Sequence, residues 1–315
     1  MKPHIRYGAF IASLLLVMPL TAYADSGTRS NYASQVLQLK LAAMTCRNTY
    51  VTSYLGDVVS VINNSTTTST LTNTDIPKLG TDFGSMQSDA SGNSTVQFKT
   101  YMNTYNGDTK ATDLDARTAI VTEHSKTVNT TLRSDNKQLQ STYQSCLFGV
   151  KQQVAQLKAG MFNTHIANAQ KRADRLASHG ANTAALNQTI NTASTGVQAF
   201  EQAVDNAQNS TQLKDALKNF CLYNGCKTPS DQHFAANIAI QADQSKLSVL
   251  AGENTTSTFQ GLVSQAQTDL TNAQTALTQV GSSQYQGNQS STVWTDINAA
   301  SDTIQQLQHI VNHKH

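Results

Sequence analysis

The sequence predicts an all-α protein, an elongated antiparallel helical bundle made of coiled-coil hairpins with long helices. Three observations predict it. Apolar residues recur at alternating steps of three and four over five separate segments, which sets each group on one stripe of a helix, whereas a strand would alternate by twos. Between the stripes lie Ser/Thr/Asn-rich or Gly-containing breaks, where helix connections belong. Alanine fills many of the stripe positions and implies close approach of neighbouring helices.

The first element is a leader. Lys2, His4 and Arg6 form a basic start, Ala9 to Leu20 is an apolar run of secretory-signal length, and Ala22-Tyr23-Ala24 supplies small residues at the two positions a signal peptidase reads. Residues 1–24 are therefore expected to be a signal peptide, cleaved between Ala24 and Asp25. The apolar run is too short to span a bilayer comfortably, and no later run reaches transmembrane length. The chain has 22 Lys+Arg against 20 Asp+Glu. Removing Lys2 and Arg6 with the leader brings this to 20 against 20, so the basic excess belongs to the leader. The expected location is exported: periplasmic, secreted or attached to a surface.

Export changes the reading of the four cysteines, which in an oxidising compartment suggest disulfides rather than thiol chemistry. Cys221 and Cys226 bracket an Asn224-Gly225 turn signal and are expected to pair locally, leaving Cys46 for Cys146. The other two connectivities remain open. A zinc site would want CxxC spacing with histidine nearby, which the sequence does not provide.

The first stripe of the mature chain is Leu37, Leu41, Met44, Val51, Leu55, Val58 and Ile62. Asn63 to Asp75 then reads as a loop, with Pro77 at a helix start. Residues 76–105 carry a weaker stripe, interrupted at Ser91-Gly92-Asn93. Asn106 to Asp113 reads as a turn, with Asp113 or Asp115 capping a helix that runs from about 114 to 178. Its stripe is Tyr143, Leu147, Val150, Val154, Leu157 and Met161, with a change of phase expected near Phe162 to Ile166. Gly180 stops that helix and Asn182 or Thr183 starts the next, which carries Leu186, Ile190, Ala193, Val197, Phe200, Val204 and Ala207. Thr228-Pro229-Ser230 opens another segment. Two final stripes follow: Phe259, Val263, Ala266, Leu270, Ala273, Leu277 and Val280, then Ile297, Ala300, Ile304, Leu307 and Val311. Gly252, Gly281 and the stretch 282–291 punctuate them. The expected organisation is an N-terminal long-helix bundle over 25–180 and a C-terminal helical bundle over 181–315, free to pack as one unit.

Composition narrows the function. Ser, Thr, Asn and Gln number 29, 40, 25 and 30, or 124 of 315 residues, while 13% are charged. A nucleic-acid binder needs a basic face, and none is present. The five basic residues Lys151, Lys158, Lys171, Arg172 and Arg175 read as a solvated helix face, with a polyanion-binding face as the sharper alternative. Only three glutamates occur, Glu123, Glu201 and Glu253, and no nucleophile elbow, phosphate loop or HExxH is found. Asp113-Leu-Asp115 lacks the Gly and terminal Glu of a calcium loop.

His309 and His313, four apart near the C-terminus, are the candidate metal ligands, with no third ligand nearby to complete a site. His124, His165, His179 and His233 are isolated. Eight Asn-x-Ser/Thr sequons (Asn63, Asn64, Asn93, Asn129, Asn187, Asn209, Asn254 and Asn288) only mildly exceed chance. Trp294, the single tryptophan, is expected to pack near the start of the last helix.

These readings imply a non-enzymatic protein without a cofactor, acting as an envelope- or surface-associated structural, adhesive or partner-binding element. Its partner would be a protein or a component of the cell envelope, or a second copy in a homo-oligomer. The alternative is a helical protein holding a small or lipid-like ligand among aromatics such as Phe83, Tyr143, Phe148, Phe162 and Phe200. A membrane-active helical toxin is a third reading.

Overall fold

The serine and threonine hydroxyls of the hydroxyl-rich helices are satisfied by donating to the carbonyl one turn back. Thr81, Thr100 and Thr104 do so to Pro77, Val96 and Thr100 at 3.1, 3.1 and 3.2 Å, and Thr271 to Gln267 at 2.8 Å. The computed structural model describes residues 26–62, 65–123, 126–220, 231–253, 256–280 and 289–312. Among these residues the chain is helix and short turn, with no strand, and the fold is all-α. The described residues form two compact units, 26–154 and 155–312, and the division lies inside one long helix. Gly180 falls within the second unit. The signal peptide with its Ala24–Asp25 junction, His124, Cys221, Cys226 and the Thr228-Pro229-Ser230 opening lie outside the described residues, as does His313.

The first unit contains α1 (Ser26–Val61), α2 (Ser65–Thr70), a π-helical turn (Leu71–Asp75), α3 (Ile76–Ser91), α4 (Thr95–Glu123) and the first part of α5 (Lys126–Ser178). Lys78 meets Asp108 and Phe83 meets Tyr105, so α3 and α4 run antiparallel. Ser34 bonds Asn93 and Arg47 bonds Asn106, so α1 runs parallel to α4. Cys46 joins Cys146 and Tyr50 stacks on Tyr143, so α5 is antiparallel to α1. Their shared core includes Leu55, Val58, Leu79, Met86, Phe98 and Tyr105. The turn between α3 and α4 closes with Ser94 N–H donating to Asp89 O and Asn93 N–H to Ala90 O. Asn93 takes φ 56°, the left-handed position that asparagine tolerates better than most residues.

Three expectations are corrected in this unit and at its edge. Residues 65–75 are helical rather than a loop, anchored by the fully buried Leu71. Asn106 to Asp113 is the middle of α4, not a turn. Its buried stripe is Phe98, Tyr105, Thr109, Thr112, Ala116 and Ala119, with Met102 half-buried beside it and two threonines in the seam. Thr109 sits there at 1% exposure because its hydroxyl donates to Tyr105 O at 2.7 Å. Asp113 therefore caps nothing and instead pairs with Arg117 at 2.8 Å. Finally, the buried stripe of α5 changes phase at Val154–Ala155, earlier than 162–166. Leu147 and Val154 are buried before that point, Ala155, Ala159 and Phe162 after it, while Leu157 and Met161 are half-exposed.

The second unit holds the rest of α5, then α6 (Ala184–Asp205), α7 (Ser210–Asn219), α8 (Asp231–Leu250), α9 (Ser257–Val280) and α10 (Gln289–Asn312). At the end of α5, Ala181 N–H donates to Leu176 O and Gly180 N–H to Ala177 O, with Gly180 at φ 83°. This is the glycine stop expected from the sequence. Asn182 Oδ1 accepts from Ala184 N–H as α6 begins, and Asn209 Oδ1 accepts from Thr211 and Gln212 N–H at the head of α7. Gln156 with Asp205, Asn163 with Glu201 and Gln170 with Asn187 run α6 antiparallel to α5. The α6 stripe is buried throughout, and the α9 and α10 stripes close with α8 into one core, on which Trp294 packs half-buried.

Candidate functional site

The cysteine prediction is met where the structure describes it. Cys46 and Cys146 form a disulfide with Cα atoms 5.8 Å apart, set beside Ala43 and Leu147. The candidate metal ligand His309 lies exposed in the last turn of α10. Among the described residues, no three His, Cys, Asp or Glu side chains gather as a cation site. No described helix is long and apolar enough to cross a membrane.

The remaining histidines stay apart. His179 Nδ1 lies 2.7 Å from Arg175 O at the end of α5. His233 is buried on α8, and desolvation pushes its imidazole down to about 4. His165 sits edge-on to Phe162 and lines a cleft with Arg172. The five basic residues do not make a single open face. Lys158 lies 5.9 and 5.7 Å above the rings of Phe162 and Phe220, and Arg172 is paired with Asp243. The suggested aromatic set divides between the units. Phe83 and Tyr143 pack in the first, while Phe162 and Phe200 close around Phe220 in the second, at centroid distances of 5.2 and 4.2 Å.

Two charged groups escaped the sequence reading. Asp82 is buried against α4, where desolvation and then the hydrogen bond its protonated carboxyl donates to Asp108 hold it well above the ordinary carboxylate range. Lys78 bonds Asp108 at 2.8 Å and holds that partner low. In the second unit, Asp243 is 4% exposed and takes both Arg172 at 3.1 Å and Lys246 at 3.2 Å. Lys78–Asp108 and Arg172–Asp243 join residues distant in sequence and appear only on folding, whereas Lys246 lies one turn from Asp243 on the same helix.

The surface feature that stands out lies on α4. Val96, Leu114 and Val121 are 80, 65 and 66% exposed. Val96 and Leu114 are eighteen residues apart and Leu114 and Val121 seven, five and about two turns at 3.6 residues per turn, so all three share one face. That face lies opposite the Phe98–Tyr105–Ala116 stripe. Lys110 stands one turn before Leu114 on the same side and is exposed. Leu114 and Val121 lie about two turns apart, while Val96 stands about 27 Å further along the same face with the polar Thr100, Asn103 and Lys110 between. The alignment was readable from spacing only after Asn106–Asp113 was known to be helical. No family model, curated protein or solved structure matches the chain.

Proposed function

We propose that this chain is an exported, non-enzymatic helical-bundle protein that works as a surface- or envelope-associated partner-binding element. The outward face of α4 carries the reading. Its partner is a protein that packs a helix along Val96, Leu114 and Val121 and sets a carboxylate opposite Lys110. A narrow stripe on a convex helix suits side-by-side helix packing, and full burial of each aliphatic side chain contributes about 1.5–3 kcal/mol. The leader and the Cys46–Cys146 bond support export, since disulfides persist in oxidising compartments. The Lys78–Asp108 pair serves packing in this reading.

The test is a Leu114→Glu, Val121→Glu double variant produced in the native cells. The wild-type chain is expected to fractionate with the envelope or with a cross-linked protein, while the variant is released with unchanged circular dichroism and melting. Retention of the folded variant at wild-type levels would remove α4 from the function. Self-association of the wild type, abolished in the variant, would identify a second copy as the partner.

A further inference from the structure

The cleft between α5 and α8 belongs to the second unit and differs in chemistry from the α4 face. It has a volume of about 100 Å³ and is lined by His165, Asn168, Ala169 and Arg172 of α5 and by Phe234, Ala235 and Ile238 of α8. The polar side chains come from one helix at positions i, i+3 and i+7, so they align along one wall. The other wall is apolar, and Phe234 and Ile238 are 4 and 8% exposed.

Charge at the Arg172 end favours an anion. Asp243 is matched by two cations, Arg172 at 3.1 Å and Lys246 at 3.2 Å, which leaves one positive charge in excess beside the cleft. Asp243 is reached through Nη2 of Arg172. A guanidinium presents five N–H donors in a planar fork, so one bond to Asp243 does not exhaust it. The Asn168 amide supplies further donors along the same wall. A volume near 100 Å³ also limits the apolar part of a ligand, since a dry cavity of about 150 Å³ holds one benzene ring.

We propose that this cleft binds a small carboxylate with a short branched aliphatic tail. The carboxylate accepts from Arg172 and Asn168, and the tail lies against Phe234, Ala235 and Ile238. The inference is independent of the α4 reading, because the residues belong to different units and neither test alters the other's.

The experiment titrates the full mature chain with 3-methylbutanoate and 2-methylpropanoate, following amide shifts by NMR, with 3-methylbutanamide as the neutral control. Saturable binding with a dissociation constant on the order of 1 mM is expected for the acids, at least about tenfold weaker for the amide. Arg172→Gln should weaken binding of the acids about tenfold, and Ala235→Trp should abolish it by filling the cleft. Arg172 also serves Asp243, so Ala235→Trp, which leaves that pair intact, decides the matter if the arginine variant does not fold. The proposal is overturned if the acids do not saturate, if acid and amide bind equally, or if folded Ala235→Trp binds as the wild type does.

Discussion

Breaking the Cys46–Cys146 bond should weaken the first unit selectively. The two residues are 100 apart in sequence, and both lie within 26–154. Closing a loop of this length removes about 4.7 kcal/mol of chain entropy from the unfolded state, and removal of native disulfides costs about 2–5 kcal/mol in practice. Cys46 is buried beside Ala43 and Leu147, so Cys46→Ala avoids burying a hydroxyl, while the exposed Cys146 is replaced by serine. For a unit of this size the expected loss of about 4 kcal/mol lowers its melting by about 10–20 °C. Urea unfolding followed by circular dichroism reports helix in both units. Fluorescence reports the second unit, because Trp294, the only tryptophan, packs on its core. The dichroism transition should move to lower urea and the tryptophan midpoint should move much less. Wild type treated with reductant should reproduce the variant. Should the variant unfold within about 0.5 kcal/mol of the oxidised wild type at equal slope, the loop-closure argument fails.

Leu270, 1% exposed in the α8–α10 core, should lose about 3 kcal/mol on substitution with alanine, read as an earlier Trp294 transition. His233 titrates near 4 when folded and near 6.5 when unfolded, so the unfolded chain binds its proton first. Stability is then full above about pH 6.5 and falls by about 3 kcal/mol as pH drops to 4, a loss that His233→Leu should remove from the pH profile of urea unfolding. Asp82 has the opposite sign: its raised carboxyl binds a proton more readily in the native state, and ionising it costs stability as pH rises from about 4 towards neutrality. Asp82→Asn should therefore stabilise the first unit at pH 7 and have little effect near pH 4. Thr109→Val, at a seam site where the hydroxyl back-bonds to Tyr105 O and also meets the Tyr105 side chain, should change stability by about 1 kcal/mol. A loss above 2 kcal/mol in denaturant unfolding would show that the hydroxyl has a specific polar role.

What the sequence showed and what it hid follow from the side chains at the seams. Where the seam is aliphatic, as along Leu186, Ile190, Val197 and Val204 of α6, the three-four spacing named the buried face residue by residue. Where Thr109 and Thr112 occupy the seam, the same geometry is present but looks polar, and a helix middle reads as a turn. The distinction is physical. A threonine whose hydroxyl donates to its own helix presents little more than a methyl group to its neighbours, so a scale that ranks it as polar misplaces it. The 65–75 segment fails in the same way, with Leu71 as the lone apolar anchor in a run of serine, threonine and asparagine.

The two proposed binding surfaces were hidden for a different reason. Val96, Leu114 and Val121 become a face only once α4 is continuous, because a turn at Asn106–Asp113 would break the register between the first residue and the other two. The cleft needs Arg172 and Ile238 side by side, residues that share no local pattern and meet because α5 and α8 pack together. The pairing of Arg172 and Lys246 with Asp243 matters most here. On the sequence, Arg172 belongs to a basic cluster facing solvent. In the fold it is tied to a buried carboxylate that a second cation already serves, so its positive charge is both fixed in place and left over. A positioned excess cation against an apolar wall selects a ligand with one negative end and one greasy end, whereas a solvated basic face would select polyanions without regard to shape.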